Sequence, residues 1–126
     1  MKTGISNEIT KKVTKEYSAM SFGSGAVDVL ATPAMIAFME EAALRLVAPE
    51  LESGKDTVGT SVNIKHLAPT PVGDQVKIKA VLEEVDGKKL SFSVEAYDSN
   101  TKIGEGKHER FIINVEKFMS NVHSNK

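Results

Sequence analysis

Thr32 to Pro49 reads TPAMIAFMEEAALRLVAP, a run of strong helix formers closed by proline. Pro33 suits the first helical position, where a missing N–H costs nothing, and Thr32 before it is a favoured N-cap. Pro49 stops the run. Met35, Ile36, Phe38, Met39, Ala42, Ala43, Leu46 and Val47 make this helix apolar over much of its circumference. One flat sheet face covers only a stripe of a helix. A sheet that curls round it, or a second subunit, is the economical way to bury the rest.

Outward from the helix the pattern is strand-like. Residues 8–18 alternate, with Ile9, Val13 and Tyr17 on one side, and predict a first strand. Met20 to Leu30 has glycines and no clean period, which predicts a loop with at most a helical turn. TVGTSVNIKHL (57–67), QVKIKAVLEEV (75–85), KKLSFSVEAYD (88–98) and KIGEGKHERFIINV (102–115) predict four more strands. A proline-rich turn at 68–71, an Asp86-Gly87 hairpin signal and a turn at Ser99-Asn100 separate them. The class is α+β, one long helix on a mostly antiparallel five-stranded sheet. The 126 residues make one domain, 1–126, with a flexible tail over 118–126.

Composition excludes several functions. The net charge of -1 leaves no basic excess to neutralise phosphates, so no nucleic-acid partner is expected. The chain has no cysteine and 3 histidines, which argues against thiolate chemistry and a metal site. The N-terminus MKTGISNEITKKV lacks an apolar core, so it reads as no signal peptide. No apolar run approaches the roughly 20 residues that a membrane span needs. A cytoplasmic setting is the default expectation. No phosphate loop, dinucleotide fingerprint, serine elbow or zinc motif occurs.

A few side chains remain that can carry chemistry. Glu40 and Glu41 are adjacent, and successive helical residues turn by about 100°. Glu41 has Arg45 four residues on, a standard exposed ion pair, and is expected to be the solvated one. Glu40 is flanked by Ile36, Ala37, Ala43 and Leu44, where desolvation would favour its neutral form. Such a carboxylate is either catalytic or a rim residue at a subunit interface. His66 shares the parity of Val58, Val62 and Ile64, and in an unbroken strand faces the helix. It is either a hydrogen-bonded core residue or a functional one at a strand end. Gly59 marks either a bulge or close approach to a ligand. His108 and Arg110 share a parity, and Arg110 is read as a surface ion-pair partner in preference to a phosphate ligand.

LATPAMIAFMEEAA, TVGTSVNIKHLAPTPVGDQV and IGEGKHERFIINV together resemble the fluoroacetyl-CoA thioesterase type of hotdog protein, from about Val29 to Val115. The resemblance implies a hotdog fold, a homodimer and acyl-CoA hydrolysis without metal or cofactor, and leaves open whether dimers pair into a tetramer. It places the family's active-site threonine, glutamate and histidine on Thr32, Glu40 and His66. The glycine near the thioester carbonyl falls on Gly59, and the last-strand arginine on Arg110. Phe22 begins the lid and is expected at the substrate. The family's fluoroacetyl-specific enzymes carry bulky aromatics in that lid, whereas Phe22 to Asp28 here holds one aromatic among small residues. A looser lid implies another short or medium acyl-CoA, in a tunnel bounded by Tyr17, Phe22, Met35 and Phe38. The rival readings are an acyl-CoA-binding hotdog protein without turnover and a hotdog enoyl-CoA hydratase.

Overall fold

The computed structural model describes residues 1–124. Helix α2 spans Thr32–Val47. Strands β1 (Ser6–Lys12), β2 (Lys55–His66), β3 (Gln75–Asp86), β4 (Lys89–Tyr97) and β5 (Lys102–Asn114) form one sheet. Their order is β1-β3-β4-β5-β2, and every neighbouring pair is antiparallel. The expected α+β arrangement of one long helix on a five-stranded sheet is therefore present. Among the described residues no helix is long and apolar enough to cross a membrane.

Strict alternation builds the core. Val76, Ile78, Ala80 and Leu82 of β3 and Leu90, Phe92, Val94 and Ala96 of β4 are buried against α2. From the helix, Ala34, Met35, Phe38, Met39, Ala42, Ala43 and Val47 meet them. Each fully buried large side chain contributes about 1.5–3 kcal/mol. Register shifts at Gly59/Ser61, Leu82/Glu84 and Ala96/Tyr97 mark bulges, which bend and twist their strands. The helix nevertheless stays uncovered on one side, where Ile36, Glu40 and Leu44 are only partly buried and Ala37 is exposed.

The first strand is shorter than alternation predicts. Its ladder with β3 ends at the Lys12–Gln75 pair, and Tyr17 lies instead in a 3-10 turn, Lys15–Tyr17. Tyr17 there meets the Phe38 ring edge-on, with centroids 4.9 Å apart. The predicted loop contains a short helix, α1 (Ala19–Phe22). Ser18 caps it by accepting from Ser21 N–H at 3.2 Å, and Gly23 ends it at φ 71°. The segment after β5 is a helix, α3 (Val115–Ser124), which buries no residue; the tail positions 125 and 126 lie outside the described residues.

Two local readings change. Thr32 is not the N-cap: that position belongs to Ala31, with φ -69° and ψ 139°, and no side chain caps the helix. The reason is tertiary. Leu30 N–H donates to the Thr70 carbonyl and Ala31 N–H to the Tyr17 carbonyl, both at 2.8 Å, which holds the chain extended through Ala31. Thr32 becomes the first helical residue, and its hydroxyl is free for other work. Strand β2 is also not unbroken. Its pairing jumps from Gly59↔Arg110 to Ser61↔Glu109, so Thr57 and Gly59 share the inner face with Val62, Ile64 and His66, and Val58 lies on the outer one.

Candidate active site

Thr32 Oγ1 lies 2.7 Å from His66 Nδ1. The start of α2 supplies the hydroxyl and the end of β2 the imidazole. The two border a hollow of about 350 Å³. Its other walls are lid residues such as Gly25, Val27 and Val29, together with Leu30 and the Leu67 to Pro69 turn. Burial pushes the His66 pKa below the usual 6.5, partly offset by a backbone contact at Ala68. The ring is therefore neutral at pH 7, able to accept a proton. Its Nε2 is buried and has no hydrogen-bond partner among the described residues.

Glu40 stands elsewhere on the helix. Eight residues at about 1.5 Å rise put it about 12 Å along the axis from Thr32. A Cβ added to Gly59 would meet Glu40 Oε2 at 2.8 Å, so only glycine lets the carboxylate approach β2 this closely. Arg110 Nη1 lies 3.9 Å from the same oxygen.

Arg110 is no surface residue. It is 6% exposed, because it points to the inner face of β5 beneath Gly59. Its Nε–H donates to Thr57 Oγ1 at 2.8 Å and its Nη2–H to the Thr57 carbonyl at 3.0 Å. Its Nη1 lies 3.2 Å from His108 Nε2. Buried in this way, it faces Glu40 and not a solvent-borne phosphate. Thr57 and His108 are the functional candidates that sequence reasoning left unassigned. His108 shared a parity with Arg110, but nothing local pointed to Thr57.

The two glutamates are also ordered differently from expectation. The Glu41 side chain is 25% exposed, held by Arg45 at 2.5 Å and by Lys11 of β1 at 2.7 Å. Glu40 is 41% exposed, since its side of α2 faces the open edge at β2. The two clusters, Thr32–His66 and Glu40–Arg110, are therefore not brought together within one chain. Phe22 is 46% exposed on α1 and does not border the hollow. Nor do Tyr17, Met35 or Phe38.

Comparison with solved structures gives the class. A hot-dog-like protein from Thermanaerovibrio acidaminovorans superposes with a TM-score of 0.90 at 22% identity, covering 98% of this chain and 91% of that one. A point variant of the fluoroacetyl-CoA thioesterase FlK, solved with acetyl-CoA, superposes with a TM-score of 0.95 at 32% identity, covering 100% and 99%. With the sheet and helix described above, these define a hotdog-fold thioester hydrolase. The particular family follows from sequence. The model of the fluoroacetyl-CoA-specific thioesterases matches residues 13–116. The fluoroacetyl-CoA thioesterase of Streptantibioticus cattleyicolor is 43% identical over 75% of this chain and 68% of its own length. The chain belongs to the fluoroacetyl-CoA-specific thioesterase family.

Proposed function

We propose that the protein hydrolyses a short or medium acyl-CoA to the free acid and CoA. Glu40 acts as nucleophile or as base for water, His66 transfers the proton, and Thr32 orients the reacting groups. The observation that carries this is the Thr32–His66 bond at the wall of a largely apolar hollow. The exposed Thr32 hydroxyl couples the hollow to His66 Nδ1, so a proton taken up by the imidazole from the attacking group can pass on to the leaving thiolate. Gly59 N–H is the donor for the developing oxyanion. A relative that binds acetyl-CoA supports a short acyl group. The lid borders the hollow with Ser24, Gly25 and Val27 and no aromatic, which supports looser selection than for fluoroacetate.

The separation of Glu40 from His66 favours a homodimer. The β2 edge is open, with Val62 46% exposed, and the uncovered Ile36, Ala37 and Leu44 lie beside Glu40 on the helix. Two copies of one edge strand related by a two-fold axis pair antiparallel. Centred between Val62 and Asn63, such a pairing sets Gly59 of one copy opposite His66 of the other. Glu40 then meets the Thr32–His66 pair across the interface. An acyl-CoA substrate supports a cytoplasmic setting.

A panel of acyl-CoAs tests the reaction. Thiol release identifies hydrolysis, loss of enoyl absorbance identifies a hydratase, and saturable binding without turnover identifies a sensor. The shared site is tested by mixing two inactive variants, Glu40→Gln and His66→Ala, and refolding them together. A cross-subunit site restores about a quarter of wild-type activity, from the one intact site of each heterodimer. No restoration, with heterodimers shown to form, sinks the shared site.

A further inference from the structure

Among the described residues His108 is the most buried titratable group, 1% exposed on β5 and stacked on the ring of Phe92. Both of its nitrogens are engaged. Nδ1 lies 2.8 Å from the Ser61 carbonyl, beside the β2 bulge. Nε2 lies 3.2 Å from Arg110 Nη1. A carbonyl oxygen only accepts and a guanidinium only donates. The proton must therefore sit on Nδ1, and Nε2 must be bare. Only one neutral tautomer satisfies both partners. An imidazolium would set N–H against N–H.

We propose that His108, as this Nδ1–H tautomer, is a positioning residue for hydrolysis. One nitrogen pins the bulge that presents Gly59, and the other fixes Arg110 beside Glu40. The inference rests on Glu40 as the reacting carboxylate. Geometry gives the reason for such a device. Arg110 is held by Thr57 through Nε and Nη2, which anchors the rigid guanidinium along one edge only. The bond to His108 Nε2 anchors the opposite end, so the whole plane is held with the second N–H of Nη1 toward Glu40 Oε2 at 3.9 Å. On the other side, Thr60, the extra residue of the bulge, donates from its hydroxyl to the Glu109 carbonyl at 3.2 Å. His108 and Thr60 together tie β2 to β5 on both sides of the bulge. The groups around the imidazole are Arg110 and Glu109 on its own strand, Glu40 on α2 and the Ser61 carbonyl on β2. Burial first, then Arg110, lowers its pKa, in keeping with a ring that stays neutral at pH 7.

Three substitutions in the full chain separate the two bonds. His108→Phe keeps ring volume and removes both. His108→Gln returns an acceptor at the reach of Nε2. His108→Asn returns a polar group only at the reach of Nδ1. In acyl-CoA hydrolysis His108→Phe should lower kcat about 10- to 100-fold, as a misplaced catalytic group does, with KM within about threefold. His108→Gln should recover most of the loss and His108→Asn little of it. Wild-type kcat in a folded His108→Phe protein, or Gln and Asn variants equally impaired, overturns the proposal. If the Phe variant does not fold, the Gln and Asn pair decides. Long-range 15N NMR of the wild-type imidazoles at pH 7 needs no turnover, so it tests His108 apart from the enzymatic reading. A protonated Nδ1 and bare Nε2 are expected, and the opposite tautomer or an imidazolium overturns the assignment.

Discussion

At the start of α2 a single hydrogen bond joins Thr32 to His66, next to open space. About two turns further along, Arg110 is fixed by Thr57 on two sides and His108 on a third, with only Glu40 left exposed. The first cluster is sparse and the second saturated. A proton-transfer pair gains from sparseness, because the hydroxyl must change partners during turnover. A buried guanidinium gains from saturation, since each N–H left without an acceptor costs about 1–3 kcal/mol. Stability and chemistry are thus weighted differently at the two ends of one helix face.

That contrast can be broken most sharply at Arg110. Arg110→Met orphans the Thr57 carbonyl and His108 Nε2, and should destabilise the fold by about 2–4 kcal/mol, read as a lower urea midpoint. An unchanged midpoint would mean that the network is not structural. Gly59→Ala probes the boundary between the two roles. The new Cβ collides with the far end of a flexible, exposed Glu40, which can swing away, and presses on buried His108 at 3.3 Å, which has to give by a few tenths of an ångström. Turnover should fall about tenfold or more, while the melting temperature falls much less than in Arg110→Met. A stability loss matching that of Arg110→Met would refute the separation.

Acid should weaken both ends. His66 and His108 have folded pKa values below the usual 6.5, each chiefly through burial. Between the folded and unfolded values the unfolded chain binds more protons, so stability rises with pH there. Their contribution is complete above 6.5 and is lost as pH falls through the folded values. Melting temperatures at pH 7.5 and pH 5 should show the drop, and His108→Gln should shrink it. A pH-independent melt would count against buried neutral histidines. The smallest effect is expected at the sparse end. Thr32→Ala should change stability by less than about 0.5 kcal/mol, because Thr32 caps nothing, against about 1 kcal/mol for a lost N-cap. Its effect should appear in turnover.

Much of the fold was legible because it rests on neighbours close in sequence. Helix formers between prolines located α2, and period-two alternation gave the buried face of β3 and β4. The site was legible only in part. Thr32 and His66 do meet, but local sequence reads Thr32 as a cap, whereas Thr70 and Tyr17, distant in sequence, hold the chain extended through Ala31. Arg110 looked like a surface partner because its acceptor, Thr57, is 53 residues away. Glu41 looked more solvated than Glu40 because Lys11, on β1, is invisible to helical spacing.

Local sequence settles where the helix and most of the strand segments lie, and that one sheet face and one helix stripe are apolar. Those properties depend on residues two to four positions apart, where backbone geometry is local. The tertiary structure alone decided the bulge that changes which β2 side chains face inward. It also decided the burial of Arg110, the tautomer of His108, and the pairing of His66 with Thr32 at the opposite end of the helix from Glu40. Each depends on which strands become neighbours, and that is set by packing of the whole sheet on α2.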